Sequence, residues 1–339
     1  MKKLLSILML FGIILVLAAC SGDANGNSSE TNGGSSEESS SGNAEGFPDK
    51  PINVIVSYAA GGGTDTGARI LFPYVEKELG VDVNIINKPG GGGWVGWTEL
   101  ANADPDGYTI GYINTPNLMT GYLDPKYKRD ESLESFEPIA NHVVDPGAIA
   151  IRADEERFTN IKELIEYAKE NELTATSTGV GSDDHYASLK LNDKFGTKFK
   201  AVHNGGSADS RAAVLGGHVD VLFANVGELT SLHNEGKVKI IGVMGKEKSP
   251  FLEDVPTLAE EGYEVYSWSA RGLAAPAGID EEKLEVLRAA LEKGIKNEEQ
   301  KEKMAEMGLE VEYLDGEEYD QLLKEDEQAV KDLSDLMGW

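Results

Sequence analysis

A net charge of −28 over 339 residues argues against nucleic acid or an anionic lipid surface as a partner, because both would repel the chain. Its single cysteine, Cys20, excludes an intrachain disulfide and leaves no further thiol for a metal site or for catalysis. The length left after a polar N-terminal stretch, about 290 residues, is enough for two α/β domains with cores of their own.

Met1-Lys2-Lys3 followed by the apolar run 4–17 reads as the charged and hydrophobic regions of a signal peptide, too short to span a bilayer comfortably. It ends in Leu17-Ala18-Ala19-Cys20, which resembles the lipobox of bacterial lipoproteins. The expectation is a leader over 1–19, a lipid on Cys20, and a polar Ser/Gly/Asn/Glu tether over 20–46. Such a tether reaches roughly 25 to 30 Å, so the protein is expected outside the cytoplasm, anchored to the cell membrane through its lipid.

The β-branched stretch 52–58 predicts a strand, and the apolar spacing of Ala68, Ile70, Leu71, Tyr74, Val75 and Leu79 predicts a helix. Between them lies Gly61-Gly62-Gly63-Thr64-Asp65, with Thr64 or Asp65 available as helix cap. A strand feeding a helix through bare glycines turns backbone N–H groups and the positive end of a helix dipole toward whatever faces the loop. Arg69 reads as the i,i+4 partner of Asp65. Two further units follow. Residues 81–87 lead into Gly90-Gly91-Gly92-Gly93 and a helix from Trp94, and 108–113 leads into Asn114-Thr115-Pro116-Asn117.

The pattern then restarts. Asn160 and Glu163 outline a helix cap, and three more strand-to-loop junctions carry Thr178 to Asp183, Asn204 to Ser207, and Ala224 to Val226. Two sets of three such loops predict two similar lobes, each a mainly parallel sheet flanked by helices, with six loops converging on one cleft. Strands near 238–243 and 265–274 return the chain to the first lobe, and acidic helices whose buried stripe includes Leu284, Leu287, Leu291 and Ile295 complete it.

No catalytic pattern survives inspection. Gly91 to Gly96 fits G-x-G-x-x-G, but Asn114 stands where a nucleotide site needs an acidic residue. There is no Walker A, no G-x-S-x-G, and no paired arrangement among His142, His185, His203, His218 and His233, so neither cofactor nor metal is expected. What remains is a cleft of uncharged donors: main-chain N–H at Gly62, Gly63, Gly92, Gly93 and Gly206, and side chains of Thr64, Asn114, Thr115, Thr178, Ser182, Asn204, Ser207 and Asn225. His185 is a further candidate donor, and Tyr58, Trp94 and Trp268 are candidate walls. Helix ends at about 0.3 to 1 kcal/mol each and hydrogen bonds near 1 kcal/mol could together hold a small carboxylate without any buried arginine. Arg271, beside Trp268 near the return to the first lobe, is the one cation harder to set aside.

Pro48-Asp49-Lys50-Pro51-Ile52, the Gly-Gly-Gly-Thr-Asp loop with Ala68-Arg69, Asn87-Lys88-Pro89-Gly90, Pro105-Asp106-Gly107-Tyr108-Thr109, Leu215 to Asp220 and Asp254 to Leu258 occur in the order found in the Bug/TctC family. The chain from Phe47 onward resembles these extracytoplasmic solute receptors of tripartite tricarboxylate transporters. The resemblance implies a two-lobed Venus flytrap, a monomer, that closes on a small carboxylate and hands it to membrane permease subunits. It agrees with the layout that the strand and loop pattern predicts, lobe 1 over 47–145 plus 266–339 and lobe 2 over 146–265. It also implies first-lobe contacts at Tyr58, Gly62, Gly63, Asp65, Gly92 and Thr115, and second-lobe contacts at Thr178, Ser182, Asn204 and Asn225. Ala60, where the family favours proline, and Trp94, where it favours a small or polar residue, depart from the pattern and put a citrate-sized ligand in doubt. An extracellular enzyme acting on a carboxylated substrate, or a receptor feeding a membrane sensor, are the alternatives.

Overall fold

Residues Ile52–Val56 form the central strand of the first half, β1, whose alternate side chains Ile52, Val54 and Val56 are fully buried. The computed structural model describes residues 46–339, so the leader, Cys20 and the tether before Gly46 lie outside the described residues. After β1 come helix α1 (Gly63–Leu79), β2 (Val83–Asn87), α2 (Trp94–Ala101), β3 (Thr109–Asn114) and α3 (Asn117–Leu123). β2 and β3 flank β1 in parallel register, with Val54 opposite both Ile85 and Ile110. That places the loops leaving β1, β2 and β3 at one sheet edge.

The 17-residue strand β4 (Phe136–Arg152) crosses from this half to the next. In the second half follow α4 (Ile161–Glu170), β5 (Leu173–Ser177), α5 (Asp183–Phe195), β6 (Phe199–His203), α6 (Ser207–Leu215), β7 (Leu222–Asn225), α7 (Val226–Asn234) and β8 (Val238–Val243). The chain returns in β9 (Trp268–Pro276), and α8 (Glu281–Ile295), α9 (Glu298–Glu306), β10 (Val311–Leu314), α10 (Gly316–Asp332) and α11 (Ser334–Met337) finish it. Asn160 caps α4 by accepting from Glu163 N–H at 3.0 Å, as its spacing predicts.

The expectation of mainly parallel sheets needs correction. The loop-bearing strands pair in parallel (β1 with β2 and β3, β5 with β6), but β4 and β9 run antiparallel to each other and to their neighbours. The early part of β4 pairs with β9 and β10, and its late part with β7 and β8. One strand thus belongs to both halves, which local pattern does not reveal.

Each half has its own core. Ile52, Val54, Leu71, Phe72 and Val75 pack against Leu284, Leu287, Leu291 and Ile295 of α8 in the first, and Ile149, Ile161, Leu164, Ile165, Leu191 and Phe223 pack together in the second. Burial of each such aliphatic or aromatic side chain contributes about 1.5 to 3 kcal/mol. Among the described residues no helix is long and apolar enough to cross a membrane.

Candidate ligand site

Gly62 caps α1 with no side-chain bond, so the expected cap at Thr64 or Asp65 is corrected: both lie within the first turn. A glycine cap leaves the leading amides of the helix without an intrahelical or capping side-chain partner. Asp65 reaches back to accept from Gly61 N–H at 2.8 Å, and it pairs with Arg69 and Asn87 at 2.9 Å each. Burial works against its charge, yet those bonds outweigh it and lower its pKa. Asp65 therefore orders the loop.

Five loops and one strand surround a cavity of about 30 Å³. The β1–α1 loop supplies Tyr58, Ala59, Gly62, Gly63 and Thr64; the β3–α3 loop supplies Asn114 and Asn117. From the second half come Thr178 and Asp183, then Gly206, Ser207 and Ala208, then Asn225 and Glu228, and β9 adds Ser269 and Arg271. Such a volume is close to that of one water, so an organic acid can enter only if the walls part.

Nine of the expected residues line this cavity: Tyr58, Gly62, Gly63, Thr64, Asn114, Thr178, Gly206, Ser207 and Asn225. Asn114 Nδ2 donates to Thr64 Oγ1 at 2.8 Å, tying two loops together. The others stand behind it or beside it. Gly92 touches the rim, its carbonyl accepting from Tyr58 Oη at 3.5 Å. Gly93, at φ +108°, lies so close to Trp97 that a Cβ would fall 2.4 Å from the ring. Trp94 is buried against Trp97 and Tyr122, with the Arg129 guanidinium 4.3 Å over its ring, and does not face the cavity. Thr115 Oγ1 accepts from Ala270 N–H at 3.3 Å. Ser182 caps α5, and His185 Nδ1 accepts from Gly181 N–H at 3.0 Å. Asn204 Nδ2 donates to Val202 O and Ser210 Oγ at 3.2 Å. Trp268 lines a separate cavity with Lys190 and Asp326.

The cavity also holds charge that the donor-only reading omitted. Arg271 is 3% exposed; its Nη2 donates to Asn225 Oδ1 at 3.0 Å and lies 3.1 Å from Asp145 Oδ2 and 3.4 Å from Glu228 Oε1. Its Nη1 has no hydrogen-bond partner. Burial opposes the guanidinium charge, but Asp145, Glu228 and Asp183 outweigh it. Across the cleft, Glu228 Oε1 accepts from Gly63 N–H at 3.3 Å, so a carboxylate of this chain already sits at the start of α1. Burial pushes Asp145 up to about 7 and Asp183 up to about 6. Apart from Arg271, which the sequence singles out as a cation without placing it, the lining residues that sequence reasoning missed are Ala59, Asn117, Asp183, Ala208, Glu228 and Ser269. Of these only Glu228 had a readable signal, the Asn225-x-x-Glu228 capping box, in which Asn225 N–H donates to Glu228 Oε2 at 3.3 Å.

The family model described as "Tripartite tricarboxylate transporter family receptor" matches residues 68–338. The chain belongs to this receptor family. A curated relative, the "UPF0065 protein in gbd 5'region" of Cupriavidus necator, is 30% identical over 297 residues, covering 87% of this chain and 90% of that one. Among solved structures, the periplasmic binding protein BugD is 32% identical with a TM-score of 0.78, over 86% of this chain and 98% of its own. MatC from Rhodopseudomonas palustris, solved with bound malate, is 26% identical with a TM-score of 0.77, over 85% of this chain and 99% of its own. Members of the receptor family bind solutes and are not enzymes, and the two-lobed binding-protein fold is shared with these structures.

Proposed function

We propose that this receptor captures a small organic carboxylate in the cleft between lobe 1 (47–145 and 266–339) and lobe 2 (146–265) and passes it, as a monomer, to the permease subunits of a tripartite transporter. In this reading Cys20 carries the lipid that holds it on the outer face of the cell membrane, and the tether over 20–46 gives it reach. The observation that supports it most is the convergence of the Gly63 amide and the unpartnered, buried Arg271 Nη1 on one cavity. Both are donors suited to a carboxylate oxygen, and charge-assisted bonds of this kind contribute about 1.5 to 3 kcal/mol each. The malate bound to MatC adds weight to the same ligand class.

A ligand that binds only the native state raises stability by about 2.7 kcal/mol at a hundredfold excess over Kd. A thermal-shift screen of mono-, di- and tricarboxylates, amino acids and aromatic acids should therefore single out at least one carboxylate that raises Tm by several degrees. The reading fails if no carboxylate does so while a non-acidic solute does. Cells fed radiolabelled palmitate test the anchor: label should be lost on Cys20→Ala.

A further inference from the structure

Four buried carboxyl groups, those of Asp145, Asp183, Asp184 and Glu228, gather around the cavity or directly behind it, against one guanidinium. Among the described residues lining the cavity, Arg271 is the only cation. Its Nη2 is already shared by Asp145 and Glu228. Asp183 has only neutral donors, the Asn225 amide at 2.7 Å and the Asp184 backbone N–H, and Asp184 Oδ1 has no partner. Lys190 flanks Asp183 in the neighbouring cavity, but its Nζ donates to the Tyr266 carbonyl at 3.1 Å and forms no ion pair with Asp183. No group of three or more His, Cys, Asp or Glu side chains among the described residues is placed to hold a metal ion.

Glu228 makes the imbalance consequential. It occupies the place at Gly63 N–H that a ligand carboxylate would take. An incoming carboxylate replaces Glu228 there and strands it, buried, beside Asp183 and with a diminished claim on Arg271. A second anionic group on the ligand would worsen that repulsion, whereas a protonated amine would relieve it. Burial, more than any neighbouring charge, raises the pKa of Asp145 and Asp183, so the protein groups around them do not compensate the cost of holding their charge out of water. Unpartnered Arg271 Nη1 and Ser207 Oγ, both in buried side chains lining the same cavity, supply donors for the acid end.

Resting on the carboxylate-capture reading above, we infer that the solute is a carboxylate that also carries a protonated amine, with its acid at Gly63 and Arg271 Nη1 and its ammonium at Asp183 and the displaced Glu228. The first lobe's glycine loop and β9, joined by Ser207 at the start of α6, read the acid, and the acidic first turns of α5 and α7 read the amine.

The test is calorimetric titration of the full-length chain in detergent with matched pairs that share a carbon skeleton and differ in ammonium against hydroxyl: glycine and glycolate, L-aspartate and L-malate, L-glutamate and L-2-hydroxyglutarate, 4-aminobutyrate and 4-hydroxybutyrate. In whichever pair binds, the amine should bind at least tenfold more tightly. Asp183→Asn should shrink that ratio below threefold, chiefly by weakening the amine, and Glu228→Gln should shrink it independently should the first variant not fold. Equal or tighter binding of the hydroxy acid in every binding pair overturns the inference and leaves carboxylate capture standing. Failure of every acid in both series, alongside binding of a neutral solute, overturns both.

Discussion

Gly63 carries the tightest constraint in the cleft. A Cβ built there would lie 2.3 Å from Arg271 Nη1 and 2.8 Å from Glu228 Oε1, both contributed from outside its own loop. Its backbone is ordinary helix, so Gly63→Ala strains the approach of the walls and not the strand–helix junction. We expect far-UV circular dichroism to be unchanged and ligand affinity to fall at least tenfold; unchanged affinity would remove Gly63 from the site. The amide of Gly63 was legible from the glycine run alone. Glu228 was not, and Arg271 was legible as a candidate cation but not as a neighbour of Gly63, because the sequence places them 165 and 208 positions away and only the α7 cap and the β9 return bring them opposite the loop. Buried acids give a second prediction at this scale. Burial lifts Asp145 to about 7 and Asp183 to about 6, above their unfolded value near 3.9. The folded state therefore holds these protons longer than the unfolded one, and their contribution to stability falls as pH rises from about 4 to about 7. Facing them are Arg271, Glu228, Asp184 and Tyr58. Each group steepens the decline by at most about 1.4 kcal/mol per pH unit. Melting curves between pH 4.5 and 7.5 should fall less steeply with pH in Asp145→Asn than in the parent, and parallel slopes would refute the assignment.

At the scale of elements, the strand–loop–helix units were readable because each local choice agreed: β-branched strands, glycine or polar junctions, and helices with one apolar face. Five of the six loops so read do line the cavity. The sixth, from Gly90 to Gly93, misses it by the rim, and its Trp94 shows why type alone misleads. Aromatic side chains next to a glycine loop can wall a ligand or fill a core, and which one follows depends on α3, whose Gly121 comes so near that a Cβ there would sit 1.6 Å from Trp94 Nε1. Trp94 is wedged among Trp97, Tyr122 and Arg129. Trp94→Phe should therefore lower stability by about 1 to 2 kcal/mol through lost packing and cation–π contact, while ligand affinity stays within twofold. A change of ligand preference without a change in Tm would return Trp94 to the cleft. The antiparallel pairing of β4 and β9 was not legible, since both strands are long and largely buried on two sides and carry no alternation that reports direction.

For the whole molecule, the two halves are joined by β4 and the return into β9, and they meet across the cleft through few polar bonds. Arg211, on α6 in the second half, donates from Nη2 to the Gly61 carbonyl and from Nη1 to the Glu228 carbonyl, both at 2.9 Å. Thr120 on α3 donates to the Gly181 carbonyl at 3.1 Å and shares a 2.9 Å bond with Tyr186 Oη. Bonds of this sort exist only while the walls touch, so they bias the balance between parted and closed forms without contributing to either core. Arg211 is the cleaner probe, because its guanidinium lies outside the cavity and is partly solvated. One such charge-assisted bond, discounted for exposure, amounts to about 1 kcal/mol, which corresponds to about a fivefold shift toward the parted form. Arg211→Ala should accordingly enlarge the radius of gyration measured by small-angle scattering in the absence of solute. It should also weaken apparent affinity by about fivefold through faster release, and saturating solute should restore the parent radius. If the radius and the release rate are both unaltered, closure is governed by ligand contacts alone, and Gly63, Arg271 and Glu228 carry the whole of the coupling between capture and shape.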